Sequence, residues 1–153
     1  MVETGHVIAE SALDVDQVQP ASLDLRLGEV AWRVRASFMP GPRNTVADRL
    51  DQLSLHKIDL TDGAVLEVGC VYIVPLLESL ALDDTMSAAA NPKSSTGRLD
   101  IFTRVIADNA AEFDTVPAGY KGPLYAEISP RTFPILARTG SRLSQIRFRS
   151  GTV

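Results

Sequence analysis

One cysteine, Cys70, and two histidines, His6 and His56, are all that this 153-residue sequence offers of thiol and imidazole chemistry. A single thiol excludes an internal disulfide and a thiolate metal cluster. Cys70 stands in the apolar run Val68-Gly69-Cys70-Val71, where a buried, inert side chain is expected. His6 lies near a terminus and His56 beside Lys57, positions that suit surface groups. No P-C-x-x-C pair accompanies either histidine, so a catalytic zinc of that type is not expected. An excess of positive charge is also missing: the net charge is −4 and the isoelectric point about 5.1. That argues against nucleic acid as a partner, although a local basic pocket for a small phosphorylated ligand remains compatible with it. No apolar run is long enough to span a bilayer, and Met1-Val2-Glu3-Thr4-Gly5 lacks the basic and apolar regions of a signal peptide. The expectation is a cytoplasmic protein with no membrane partner.

What is present is an ordinary globular balance, 45% hydrophobic and 22% charged, in a length that suits one domain. Ala9 to Leu13 could form a short turn of helix. Leu23, Leu25 and Leu27 alternate with Ser22, Asp24 and Arg26 up to Gly28, the period of a half-buried strand. Glu29 to Ala36 continues the pattern, which suggests a hairpin about Gly28-Glu29. Val46, Leu50 and Leu53 recur at helical spacing behind Thr45, a good N-cap, so a short amphipathic helix is expected there. Asp62-Gly63 reads as a hairpin turn after a run from His56 to Leu60. Val65 to Leu77 is strand-rich, broken by Gly69 and ending near Pro75, with another strand or a bend at Glu78 to Leu82. Further strands are expected at Leu99 to Ala107, Leu124 to Ile128, Phe133 to Ala137 and Leu143 to Phe148. A polar excursion runs from Asp108 to Thr115, and turn formers crowd Val116 to Pro123. Many short strands, Gly and Pro between them, and one modest helix argue for an all-β barrel or sandwich.

Two places carry chemistry. Asn91-Pro92-Lys93-Ser94-Ser95-Thr96-Gly97-Arg98-Leu99 puts hydroxyls, two cations and a glycine in one turn-prone stretch. Its donors suit an oxyanion such as a phosphate, and its composition equally suits a solvated basic loop. The serines have no histidine partner within the motif, so a serine nucleophile is not expected. Glu127 shares a strand face with Tyr125, opposite Leu124, Ala126 and Ile128. If that face lines a cleft, Glu127 is a desolvated carboxylate suited to general-base work. Spacing alone favours the plainer alternative, a glutamate facing solvent.

The motifs, taken together, resemble the dCTP deaminases of the trimeric dUTPase-like superfamily, closest to the longer bacterial form with two such units per chain. Gln19-Pro20-Ala21-Ser22-Leu23-Asp24-Leu25-Arg26-Leu27-Gly28 is similar to their early strand motif, and Lys93-Ser94-Ser95-Thr96-Gly97-Arg98-Leu99 to their R-S-S-x-x-R-L motif. Val116-Pro117-Ala118-Gly119-Tyr120-Lys121-Gly122, followed by Glu127, resembles their I-D-P-G-W-x-G…E segment, and Ser141 to Ile146 resembles the last core motif. The resemblance runs from about Val15 to Phe148, with its motifs in the family's order. It implies a distorted jelly-roll or β-barrel of the dUTPase-like type with one or two short helices.

It also implies hydrolytic deamination of dCTP to dUTP and ammonia without a catalytic metal. Glu127, Ser94 and Arg98 match the catalytic positions, and Lys93, Ser95, Ala107, Asn109, Tyr120 and Gln145 are the implied substrate contacts. Mg²⁺ would enter on the substrate triphosphate, and subunits would form a homotrimer or pseudo-trimer with sites at interfaces. Several departures qualify the match. Lys93 stands where an arginine is usual, and Tyr120 where a tryptophan is. Asn109 is only the nearest counterpart of an arginine in a loop that is longer here. Pro117 occupies the place of an aspartate that activates water in dUTPases, which speaks against a dUTP pyrophosphatase. The chain stops at Val153, soon after the last core strand, so the lid over the triphosphate found in single-domain relatives is not expected within it. The expectation is one domain over residues 1–153, the N-terminal unit of a two-unit form. The alternatives are the pyrophosphatase and a nucleotide-binding or assembly unit inactive by itself.

Overall fold

A computed structural model describes residues 7–9, 17, 22–93, 99–109 and 112–150. The described strands are β1 (Val7–Ala9), β2 (Leu23–Leu25), β3 (Val30–Val34), β4 (Ser54–Asp59), β5 (Ala64–Leu66), β6 (Val71–Ala81) and β7 (Met86–Pro92). They continue with β8 (Ile101–Ala107), β9 (Thr115–Val116), β10 (Lys121–Pro130), β11 (Ile135–Ala137) and β12 (Ser144–Ser150). Among the described residues one helix, α1 (Val46–Leu53), lies between β3 and β4. The expected all-β architecture is therefore present.

Three antiparallel sheets form among the described residues. The largest orders its strands β4-β3-β6-β10-β8, with β1 added to β6. A second runs β2-β12-β7-β9, and β11 pairs with β5 alone. Between the two larger sheets lies the main core, with Leu23, Leu25, Ala88, Ala90 and Ile146 from one and Val74, Leu80, Leu124, Ala126 and Ile128 from the other. The outer face of the large sheet is buried as well. There Val46 and Leu50 of α1 pack on Val34, Ile73, Ile106 and Tyr125. The amphipathic spacing of α1 thus supplies a second, smaller apolar layer. Its start is fixed by a capping box in which Thr45 and Asp48 exchange side-chain and backbone hydrogen bonds.

Several local expectations change. No hairpin forms at Gly28-Glu29: β2 pairs with β12, whereas β3 pairs with β4 and β6. The alternation was right, but two leucine-rich segments can satisfy it in different sheets. Gly28 serves instead for close approach, because a Cβ there would lie 2.5 Å from the carbonyl oxygen of Pro75, which accepts the Gly28 N–H. Pro75 does not end a strand. It lies inside β6, next to the register shift between Pro123 and Tyr125 of β10, an irregularity that tolerates a residue with no N–H to give. Asp62-Gly63 does turn the chain, yet β5 pairs with β11 rather than β4. Ala9 belongs to β1 rather than a helix, while residues 10–13 lie outside the described residues. The strand expected from Phe133 begins only at Ile135. Cys70 is half-buried rather than buried, and His56 is exposed as expected. Strand β7 escapes a sequence reading because Ser87-Ala88-Ala89-Ala90-Asn91 has weak β propensity. Pairing with β12 and β9 forms it nonetheless.

Candidate functional site

Glu127 is where the polar architecture converges. Register places Trp32, Ile73, Glu127 and Arg104 side by side on β3, β6, β10 and β8. Directly paired residues of an antiparallel sheet project to one face. This is the outer face, the one covered by α1. Glu127 is 1% exposed, so the solvent-facing position favoured by spacing is wrong. Alternation along β10 does separate Tyr125 and Glu127 from Leu124, Ala126 and Ile128, but α1 and the chain that precedes it cover both.

Both carboxylate oxygens have partners. Ser37 donates its hydroxyl to Glu127 Oε1 at 2.6 Å. Arg104 donates Nε to Oε2 at 3.0 Å and Nη2 to Ser37 Oγ at 2.8 Å. The guanidinium is held from its faces: its centre lies 3.6 Å from the ring centroid of Phe113 and 4.8 Å from that of Phe102. Nearby, Asp114 accepts the Val105 N–H at 2.7 Å, and burial raises its carboxyl above the ordinary range. An anion, a cation and a hydroxyl thus meet beside half-buried Trp32, Phe38 and Phe113. Such a carboxylate can accept a proton from water and return it to a leaving group.

Three other expected contacts gather at the junction of β8 and β10. Ala107 pairs with Leu124, Asn109 adopts a left-handed backbone at φ 60°, and Tyr120 closes the turn of Pro117 to Tyr120. That turn has Gly119 at its third position with φ 79°, the conformation a type II turn needs. Tyr120 uses its hydroxyl on the backbone, accepting from the Asp108 N–H at 3.0 Å and donating to the Pro123 carbonyl at 2.5 Å. Burial pushes its phenol up to about 12.

The remaining contacts belong to the other large sheet. Gln145 of β12 stands opposite Asp24 of β2 and Asn91 of β7. Lys93 reaches Asp24 Oδ2 at 2.5 Å, and Arg142 approaches the same oxygen at 3.5 Å. Asp24 is 1% exposed, and its Oδ1 has no hydrogen-bond partner among the described residues. Ser94, Ser95 and Arg98 lie outside the described residues. Among those described, no three His, Cys, Asp or Glu side chains group as metal ligands, and no helix is long and apolar enough to cross a membrane. Sequence reasoning missed Ser37 and Arg104. Arg104 shares a strand face with Phe102 and Ile106 on β8, but only register shows that it faces a glutamate.

Residues 1–152 match the family model described as the 2'-deoxycytidine 5'-triphosphate deaminase N-terminal domain. The chain is 72% identical to the crystal structure of 2'-deoxycytidine 5'-triphosphate deaminase from Agrobacterium tumefaciens, with a TM-score of 0.95 over 97% of its own length and 45% of that chain. It therefore spans less than half of that relative. A dCTP deaminase of Halorubrum lacusprofundi is 32% identical over 147 residues, covering 94% of this chain and 70% of the relative. A mutant dUTPase from phage phi11 of S. aureus shares the fold at a TM-score of 0.57 and 11% identity, covering 96% and 90% of the two chains.

Proposed function

This chain belongs to the dCTP deaminase N-terminal domain family, and on that premise we propose that it hydrolyses dCTP to dUTP and ammonia with Glu127 as the proton carrier. The observation that carries the reading is a buried glutamate anchored at both oxygens on an aromatic-lined face. Glu127 takes a proton from water, and the hydroxide adds to C4 of cytosine while the ring nitrogen N3 receives that proton. The second proton of the former water then passes through the same carboxylate to the amino nitrogen. The C4–N bond breaks with its electron pair leaving on ammonia, and C4 keeps the oxygen. Charge on the intermediate is stabilised by fixed donors in a site that excludes bulk water. Ser94 and Arg98 are assigned that role, and no metal is required for the step.

The triphosphate is assigned to Lys93 and Ser95, with Mg²⁺ carried by the substrate. Lys93 puts a cation directly before Ser94 and Ser95 in the chain, which supports this placement. Ala107, Asn109, Tyr120 and Gln145 complete the nucleotide contacts. Glu127 lies on β10 of one sheet and Lys93 just past the end of β7 in another, so sites shared between copies, in a homotrimer or pseudo-trimer, fit better than one self-contained pocket.

The test measures ammonia and pyrophosphate from dCTP and dUTP with Mg²⁺ present. Glu127→Gln is expected to lower kcat by about 10²–10⁴-fold while dCTP still binds. Wild-type turnover in that variant would remove Glu127 from the mechanism. A relative from Beutenbergia cavernae, 28% identical, is named dCTP deaminase, dUMP-forming. It makes a second reading concrete: pyrophosphate and dUMP would appear alongside ammonia. Binding of dCTP without release of any product would identify an assembly unit instead.

A further inference from the structure

We propose that Arg104 and Ser37 are positioning residues that aim Glu127 at its water. The inference rests on the proton-carrier role given to Glu127 above. A guanidinium has donors only, so the contact between Arg104 Nη2 and Ser37 Oγ fixes which atom donates. Ser37 must then turn its single proton toward Glu127 Oε1, the 2.6 Å contact. Arg104 closes the ring through Nε on Oε2. The three side chains leave each carboxylate oxygen one lone-pair direction for another donor. A glutamate with three rotatable bonds is thereby reduced to one orientation, and its free lone pairs to defined directions.

The supports of this ring differ in kind. Arg104 is itself fixed by packing, with Phe113 on its plane and Phe102 two residues back on its own strand. Ser37 is exposed, in the stretch that leads from β3 toward α1. The opposite side of the sheet is closed by the main core, so the Ser37 side is the one that is not packed against it. Lysine at position 104 would keep a charge yet could not bond a carboxylate and a hydroxyl at once in one plane.

The experiment compares Ser37→Ala, Arg104→Ala and Arg104→Lys with the parent and with Glu127→Gln, by steady-state deamination of dCTP. Arg104→Ala is expected to lower kcat by about 10²-fold and Ser37→Ala by about 10-fold, each with KM within about two-fold of the parent. Free guanidinium at millimolar concentration is expected to restore part of the Arg104→Ala rate, and methylammonium to restore none. Arg104→Lys is expected to stay nearer to alanine than to the parent. Thermal melting monitors folding, and the exposed position of Ser37 keeps the test usable if Arg104→Ala unfolds. Parent-like kcat in Ser37→Ala together with no guanidinium rescue, while Glu127→Gln is inactive, overturns this inference alone. An active Glu127→Gln, or a parent that releases no ammonia, overturns the proton-carrier reading and this one with it.

Discussion

Asp114 shows what burial does to a single carboxylate. It is held at φ 59° with one oxygen on the Val105 N–H, and desolvation raises its pKa above the ordinary 3.8. A carboxyl whose folded value is raised binds its proton more readily in the folded chain than in the unfolded one. Its favourable contribution is therefore complete below the unfolded value and is lost as pH rises through the folded value. Asparagine keeps the acceptor and tolerates the left-handed backbone. Asp114→Asn is thus expected to raise the melting temperature at neutral pH, with the advantage vanishing below about pH 3.8. Melting curves across that range check it, and a variant less stable at every pH would contradict the argument. Glu127 illustrates the limit of residue-level reading. Its alternation with Tyr125 was legible in sequence. Its burial was not, because the residues that cover it come from other parts of the chain.

At the scale of elements, α1 joins local signals to the site. Its apolar spacing and its cap can both be read from Thr45 to Leu53. Its N-terminus is also tied to the large sheet, since Asp108 just after β8 accepts the Val46 N–H at 2.8 Å. Thr45→Ala removes the side-chain half of the cap and is expected to cost about 1 kcal/mol, measured by urea unfolding. A change of a few tenths or less would show that the Asp108 contact suffices to start the helix. Because α1 covers the face that carries Glu127, the same variant tests whether helix order reaches turnover. The strands teach a different lesson. Period two located the leucine-rich residues of β2 and the branched ones of β3, yet adjacent strands in sequence entered different sheets. Pro75 looked like a stop because isolated propensity ignores the neighbouring irregularity that accommodates it.

At the scale of the molecule, the nucleotide contacts fall into two groups, Glu127 with Ala107, Asn109 and Tyr120 on one sheet and its loops, Lys93 and Gln145 on the other. If complete sites form between copies, mixed oligomers of two defective variants should recover activity. Glu127→Gln and Gln145→Ala, unfolded and refolded together, are expected to exceed the summed activity of the separate preparations. No gain on mixing, with mixed oligomers shown by light scattering and mass, would place each site within one copy. The same measurements on the parent report whether the assembly is trimeric.

Composition, strand periodicity, the helix cap and the ordered motifs were fixed by the sequence itself, because each depends on neighbours a few positions away. The family could be read on those motifs. Sheet membership, the burial of Glu127 and its ring with Ser37 and Arg104 could not. Ser37 and Arg104 lie 90 and 23 positions from Glu127, and only strand register brings such distant donors onto one carboxylate. Tertiary packing decided which polar side chain lost its water, and it set two fixed donors in that water's place.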